Sequence, residues 1–296
     1  MKWAYSLSTL LITVLIFYIF LEIKYLRHFS SSPQELTPEA TKEDSYQLKL
    51  FSQRREYTRK QCLSSNGSSL DLKHVLLDEE RKLLFCVVPK VACTNWKRVL
   101  ISLETRMNLT EIKYPHSHTF KTLSQSTLQE KALSKYSKFI FVRHPYERLV
   151  SAYENKVHRP FTNYFRSRLL REGMRDLSFP SFVDFILSKK PRDLNEHWSP
   201  QYMLCRPCQV DYDYIGRYET MKEDSDYILE DVLHLNVSLP KNQSQSPIGR
   251  TVMITPIYLR KLSSAAREGL FQLYKRDFEL FGYKFPNWVN DNKKTG

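Results

Sequence analysis

Glycine is scarce in this sequence: seven residues in 296, and none between Gly67 and Gly173. The loop that holds nucleoside triphosphates, G-x-x-x-x-G-K-[ST], needs glycines around a late lysine, so hydrolysis or γ-transfer of ATP or GTP is disfavoured. Cysteine is limited to Cys62, Cys86, Cys93, Cys205 and Cys208. The "CRPC" pair at Cys205 and Cys208 has no second CxxC to complete a zinc site, and His197 is the only imidazole near it. Structural disulfides in an oxidising compartment are the expected use, two at most with one thiol over, and their pairing stays open. Acidic residues number 32 against 45 basic ones, for a formal net charge of +13. Such a surplus draws an anionic partner, and by itself does not choose among nucleic acid, membrane headgroups and an acidic glycan or small molecule. Internal repeats are absent, and a chain that is 42% hydrophobic and 13% aromatic is too apolar to be largely disordered.

What is present begins with "WAYSLSTLLITVLIFYIFLEI", residues 3–23, free of charge until Glu22 and long enough to cross a bilayer. It exits through "FLEIKYLRHF", which has no small-residue cleavage pattern, so an uncleaved signal anchor is expected. The chain then divides into a cytoplasmic tail (1–4), a transmembrane anchor (5–23), a stem (24–69) and one folded domain (70–296). Four glycosylation acceptors, at Asn66, Asn108, Asn236 and Asn242, favour a lumenal body and move nucleic acid well down the order of partners.

Within the body, "RKLLFCVVP" reads as a strand buried on both faces, stopped by Pro89, and "TNWKRVLISLET" as a helix with Thr94 at its N-cap. A second strand–loop–helix unit follows in "KFIFVRHPYERLVSAYENK", with Pro145 opening the helix. "FPSFVDFILSKK" and "LSSAAREGLFQLYKRDFELFGY" read as helices, the last ended by Gly282, and "VDYDYIGRYET" as a strand and turn before the helix "MKEDSDYILEDV". The sum is an α/β sandwich on a parallel sheet.

A loop from a buried strand into a helix gathers backbone N–H groups where the helix adds positive potential, and oxyanions bind in such places. In "PKVACTN" Lys90 supplies charge, and Thr94 and Asn95 can donate from their side chains. Arg143 at the end of the second strand and Ser151 on the helix after it make a second anion site, with Arg148 a further candidate or a partner for a surface acid. Two such sites suit a ligand with two separated anionic groups.

In order and detail, "FCVVPKVACTNWKRVL", "YSKFIFVRHPYERLVSAYENK", "NEHWSPQYMLCRPCQVDYDYIGRYETMKEDSDYIL" and "LYKRDFELFGY" resemble the membrane-bound Golgi carbohydrate sulfotransferases, most closely the chondroitin and dermatan 4-O-sulfotransferase branch. The resemblance covers most of residues 80–285. It implies a P-loop-like sulfotransferase fold with a central parallel sheet flanked by helices, and 3'-phosphoadenosine 5'-phosphosulfate (PAPS) as donor, with no metal. Donor-binding residues carried over are Pro89, Lys90, Val91, Ala92, Cys93, Thr94 and Asn95 at the 5'-phosphosulfate, and Arg143 and Ser151 at the 3'-phosphate. Lys97 and Arg98 stand beside them, facing outward.

In the transfer step the resemblance gives Lys90 the charge on the departing phosphate oxygen. The acceptor hydroxyl needs a base. His116 is the first choice, His118 the second and His197 the third, with Glu196 able to orient a base or a sugar hydroxyl, and His144 a neighbour of the donor site. The implied acceptor is O-4 of N-acetylgalactosamine in an anionic chondroitin or dermatan chain. Another N-acetylgalactosamine-containing glycan of glycoproteins is the alternative, ahead of a lumenal glycan-binding protein without activity. The implied place is the Golgi membrane, single-pass type II, catalytic domain in the lumen.

Overall fold

The computed structural model describes residues 42–62, 71–160, 162–240 and 250–287. The expected anchor over 5–23 and the acceptors Asn66 and Asn242 lie outside these residues, whereas Asn108 and Asn236 are exposed. Among the described residues no helix is long and apolar enough to cross a membrane.

Four strands form one sheet in the order β1-β2-β3-β4: Val75–Asp78, Leu83–Cys86, Ser137–Val142 and Tyr214–Arg217. The run read as a central strand is β2. It pairs in parallel with β3, as β3 does with β4, but β1 runs antiparallel to β2, with Val75 opposite Cys86. The sheet is therefore mixed, which corrects the all-parallel expectation. Residues 79–82 connect β1 to β2 as a hairpin, and "VLLD" is too short beside a charged turn to announce itself as a strand.

The helices are α1 (Lys42–Cys62), α2 (Cys93–Thr105), α3 (Gln129–Lys135), α4 (Pro145–Tyr153), α5 (Tyr164–Arg171), α6 (Phe179–Leu187), α7 (Gln201–Cys205), α8 (Pro207–Val210), α9 (Met221–Tyr227), α10 (Arg250–Arg260) and α11 (Ser264–Phe281). Side chains split between two cores. One surrounds the sheet, where Trp96 of α2 packs on Phe139 at 4.8 Å and Phe141 at 5.0 Å between ring centres. The other joins α4, α6 and α11 through Tyr153, Phe182, Trp198 and Phe278. Gly282 closes α11 in the left-handed region, φ 65°, its N–H bonded to the carbonyl of Phe278.

Helix α1 falls in the stretch expected to be a stem, yet from Tyr46 onward the chain is one compact unit. The buried positions Gln47, Phe51 and Thr58 recur at helical spacing, and only one is apolar, so the docking stripe is polar and gives no hydrophobic period. Arg54 pairs with the fully buried carboxylate of Asp224 at 2.6 Å, Gln47 donates to the same carboxylate, and Thr58 donates to the carbonyl of Leu280 at 2.8 Å. A disulfide, Cys62–Cys208, fixes the helix end to α8. A second, Cys86–Cys205, ties the end of β2 to α7. The two cysteines of "CRPC" thus serve two long-range bonds, and Cys93 is left as a buried free thiol.

Candidate active site

After β2 the chain turns through residues 87–92 into α2. Lys90 and Ala92 both lie in the left-handed region, at φ 72° and 52°, where glycine would be the ordinary choice. Such residues persist when their surroundings over-determine them, and here two arginines do so. Arg148 donates from Nε to the carbonyl of Pro89 at 2.9 Å, and Arg143 donates from Nη1 to the carbonyl of Lys90 at 3.1 Å. Val91, between Lys90 and Ala92, is buried. The carbonyls are gripped from behind, so the loop keeps its shape without glycine.

Ala92, not Thr94, is the cap residue of α2, with Asn95 and Trp96 donating to its carbonyl at 3.0 and 3.2 Å. Thr94 sits inside the first turn, where its hydroxyl meets Nε2 of His116 at 2.9 Å. His116 rides on the loop after α2, which Arg98 anchors by donating to the carbonyl of Ile112 at 3.0 Å. Arg98 therefore turns inward, and Lys97 packs its ammonium 5.5 Å from the centre of the Phe120 ring. His118, the second choice of base, is taken elsewhere: its Nε2 meets Glu104 at 2.9 Å, near the far end of α2 and about 15 Å along the helix from Thr94. Asn95, expected as a ligand donor, is buried with its amide on the carbonyl of Pro240 at 3.1 Å and its oxygen accepting from Arg98 at 2.9 Å.

Arg143 is buried. Its N–H and C=O exchange hydrogen bonds with the side chain of Gln201 at 2.9 and 2.8 Å, Nη2 donates to Thr251, and the guanidinium stacks 3.9 Å from the centre of the Tyr218 ring. Gln201 opens α7, whose first N–H groups are held by the buried carboxylate of Asp277, both at 2.8 Å. Burial pushes the pKa of that carboxyl up to about 6. Ser151 is half-buried on α4. Arg148, one of the two readings of which was a surface ion pair, is instead fully enclosed and donates to three carbonyls: Pro89, Ser199 at 2.7 Å and Glu196 at 2.6 Å. It fastens the loop after β2 to residues 196–199, where His197 lies with Nδ1 on Asn195 at 2.7 Å. His144 is enclosed by Tyr146, Phe278 and Tyr283, and burial followed by the charge of Arg143 holds it down at about 4.

Electrostatics gather on one spot. Burial, with the cations Lys156, Arg143 and Arg148 also opposing its charge, lowers the Lys90 ammonium to about 8. Partial burial and then the charges of Lys97 and Lys156 hold His116 below the ordinary imidazole value. Burial and the charges of Lys156 and Lys90 push His197 down to about 3, so its ring is neutral. A crowd of cations around a half-buried lysine is unfavourable in the free protein and favourable once a multiply charged anion enters. Lys156, Gln201, Thr251 and Tyr218 escaped the sequence reading; the last three support Arg143 from elements distant in the chain, and no local pattern marks them. Among the described residues no cluster of His, Cys, Asp and Glu is arranged to hold a metal ion.

Residues 73–284 match the family model described as "Sulfotransferase family". The chain belongs to that family. This sulfotransferase is 34% identical over 298 residues to Carbohydrate sulfotransferase 11 of Mus musculus, covering 89% of this chain and 84% of the relative. It is 35% identical over 239 residues to Carbohydrate sulfotransferase 14 of Danio rerio, covering 74% and 65%. With Carbohydrate sulfotransferase 8 of Mus musculus it shares 32% over 260 residues, covering 78% and 62%. No solved structure matches it. The sulfotransferase uses PAPS as its donor. Lys90, the half-buried Thr94 in α2's first turn and the surrounding cations fit a phosphosulfate in charge, and the Pro89 and Lys90 carbonyls are already taken up by Arg148 and Arg143.

Proposed function

We propose that this sulfotransferase transfers the sulfuryl group of PAPS to O-4 of N-acetylgalactosamine in chondroitin or dermatan chains, in the Golgi lumen, behind an amino-terminal anchor. The observation that carries the site assignment is the contact of His116 with Thr94 at the mouth of the Lys90 loop. Residues 89–95 hold the phosphosulfate end of the donor, and Arg143 and Ser151 the 3'-phosphate side. The acceptor oxygen attacks sulfur and its hydroxyl proton passes to Nε2 of His116. The bond from sulfur to the phosphate oxygen breaks, and its electron pair stays on that oxygen, where Lys90 offsets the charge. The products are the sulfated sugar and 3'-phosphoadenosine 5'-phosphate (PAP).

A cleft of about 760 Å³ is lined in part by Glu196 and Ser199 of the 194–199 segment, and it supports an extended anionic acceptor. Five basic residues line it: Lys73, Arg168, Lys189, Arg192 and Arg206. Three of these pair with neighbouring acids, Lys73 with Asp71, Arg168 with Glu172 and Arg192 with Asp193, which leaves Lys189 and Arg206 for uronate groups.

The test is transfer of labelled sulfate by the full chain onto desulfated chondroitin, desulfated dermatan and an N-acetylgalactosamine-terminated N-glycan, followed by disaccharide analysis. Label at O-4 of the galactosamine unit in either polymer is expected. Label confined to the N-glycan, or to another ring position, overturns the acceptor assignment.

The pH dependence follows from Lys90 and His116. A donor anion binds the charged ammonium, and free Lys90 loses its proton above about pH 8. Donor kcat/KM is therefore expected to fall about tenfold per pH unit above that point, since this parameter reports groups of the free enzyme. Bound donor favours the ammonium, so kcat should hold to higher pH. With His116 below its ordinary value of 6.5, the acid limb should lie below pH 6.5. A kcat/KM that stays level to pH 10 would remove Lys90 from donor binding.

A further inference from the structure

Helix α4 does not end in a cap. Its chain continues through one turn of π-helix, Glu154–His158, in which backbone bonds close over five residues. Such turns insert one residue into the helical count and redirect the side chains that follow, and they recur at functional sites. The residue redirected here is Lys156. Its ammonium lies 4.8 Å from the centre of the Phe165 ring, and the same ring meets the imidazole of His197 edge-on at 5.4 Å. Phe165 is thus a common wall for Lys156 and His197, and His197 is joined through residues 196–199 and Arg148 to the Lys90 loop.

Among the described residues Lys156 makes no hydrogen bond and no ion pair. It is half-buried, and its charge bears on Lys90, His116 and His197 alike. The one carboxylate acting on it is Glu196, whose side chain is 45% exposed and faces His74 at 3.6 Å. An ammonium held over an aromatic ring, partly dry, unpaired and within electrostatic reach of a second ammonium is a group waiting for an anion. Lys90 and Lys156 come from separate motifs, so they can meet separate parts of one ligand.

We propose that Lys156 binds the sulfonate oxygens of PAPS, while Lys90 meets the phosphate that both PAPS and PAP carry, so that Lys156 is the residue by which the enzyme tells loaded donor from spent product. The assignment rests on the reading that residues 89–95 hold the phosphosulfate end. No bond is made or broken by Lys156 itself; it sets donor occupancy and limits inhibition by PAP.

The experiment measures affinity of the full chain for PAPS and for PAP by calorimetry, without acceptor, in the wild type and in Lys156→Ala, Lys156→Gln, Lys156→Arg and Lys90→Ala. Lys156→Ala and Lys156→Gln should weaken PAPS tenfold or more and PAP less than twofold, with Lys156→Arg recovering most of the difference. In steady state with chondroitin, KM for PAPS should rise by the same factor with kcat little changed, and inhibition by PAP at fixed PAPS should deepen. Equal weakening of both nucleotides by the Lys156 variants, or no change in their ratio, overturns the assignment. If Lys90→Ala loses affinity for both nucleotides while the Lys156 variants keep the wild-type ratio, only the Lys156 assignment fails. If Lys90→Ala binds both as the wild type does, the reading of the loop fails with it.

Discussion

Lys90→Ala is expected to lower kcat/KM for sulfate transfer by at least about 10² to 10³, the range seen when one preorganised group facing transition-state charge is removed. The variant should fold. Lys90 is half-buried but its backbone is held by the Arg143 bond to its carbonyl, which alanine retains, and at φ 72° alanine is no more strained than lysine. The loss should therefore come with a thermal midpoint unchanged to within about 1 °C, read by circular dichroism. Lys90→Arg keeps a charge but spreads it over a planar fork on a longer stem, and should recover only a part of the rate. A Lys90→Ala enzyme within threefold of wild type would separate this loop from the chemistry.

Arg148→Met is expected to have the largest effect on stability. It removes the partner of three carbonyls, at Pro89, Glu196 and Ser199, while keeping an apolar stem in a fully enclosed space. An unmet buried polar group costs about 1–3 kcal/mol, and water entering the gap recovers some of it, so a net loss on the order of 3–5 kcal/mol is expected. Against a typical total of about 5–15 kcal/mol that is a large share, and for a domain of this size it corresponds to a fall in thermal midpoint on the order of 10 °C. Arg148→Lys, which can reach one or two carbonyls, should fall between. An Arg148→Met protein melting within about 2 °C of the wild type would mean that the three carbonyls find other donors.

Lys90 and Arg148 also show why the sequence was legible in one respect and not in another. Strands β2 and β3 and helices α2, α4 and α6 follow from compact apolar runs and helical periods, because burying those side chains is what forms them. The strand, loop and helix around Lys90 were recognisable from the apolar run and the helical period on either side. What fixes the loop was not recognisable: Arg148 bonds carbonyls 48 to 59 residues away in sequence, and no local pattern distinguishes it from an arginine on a solvated face. The same limit explains α1, whose docking side chains are Gln47, Arg54 and Thr58 and whose partners are Asp224 and the carbonyl of Leu280. Between His116 and His118 the spacing offers no choice. The fold sets them apart through two other side chains: His116 meets Thr94 at the start of α2, and His118 meets Glu104 near its end. Lys156 was hidden for a geometrical reason, since a π turn breaks the 3.6-residue count that would predict where it points.

The Cys62–Cys208 bond, spanning 146 residues, has a mechanical consequence. Tension applied between the two ends of the chain enters at Cys62 and crosses directly to Cys208. Strands β1, β2 and β3, the Lys90 loop, His116, Arg148 and Lys156 all lie in the bypassed length and carry no load. The Cys86–Cys205 bond lies nested inside it and closes a second loop of the same kind. A tug on the amino-terminal side of α1 can strain the hold of that helix on Asp224 and Leu280, but it cannot draw out the polypeptide between Cys62 and Cys208 while the disulfide stands.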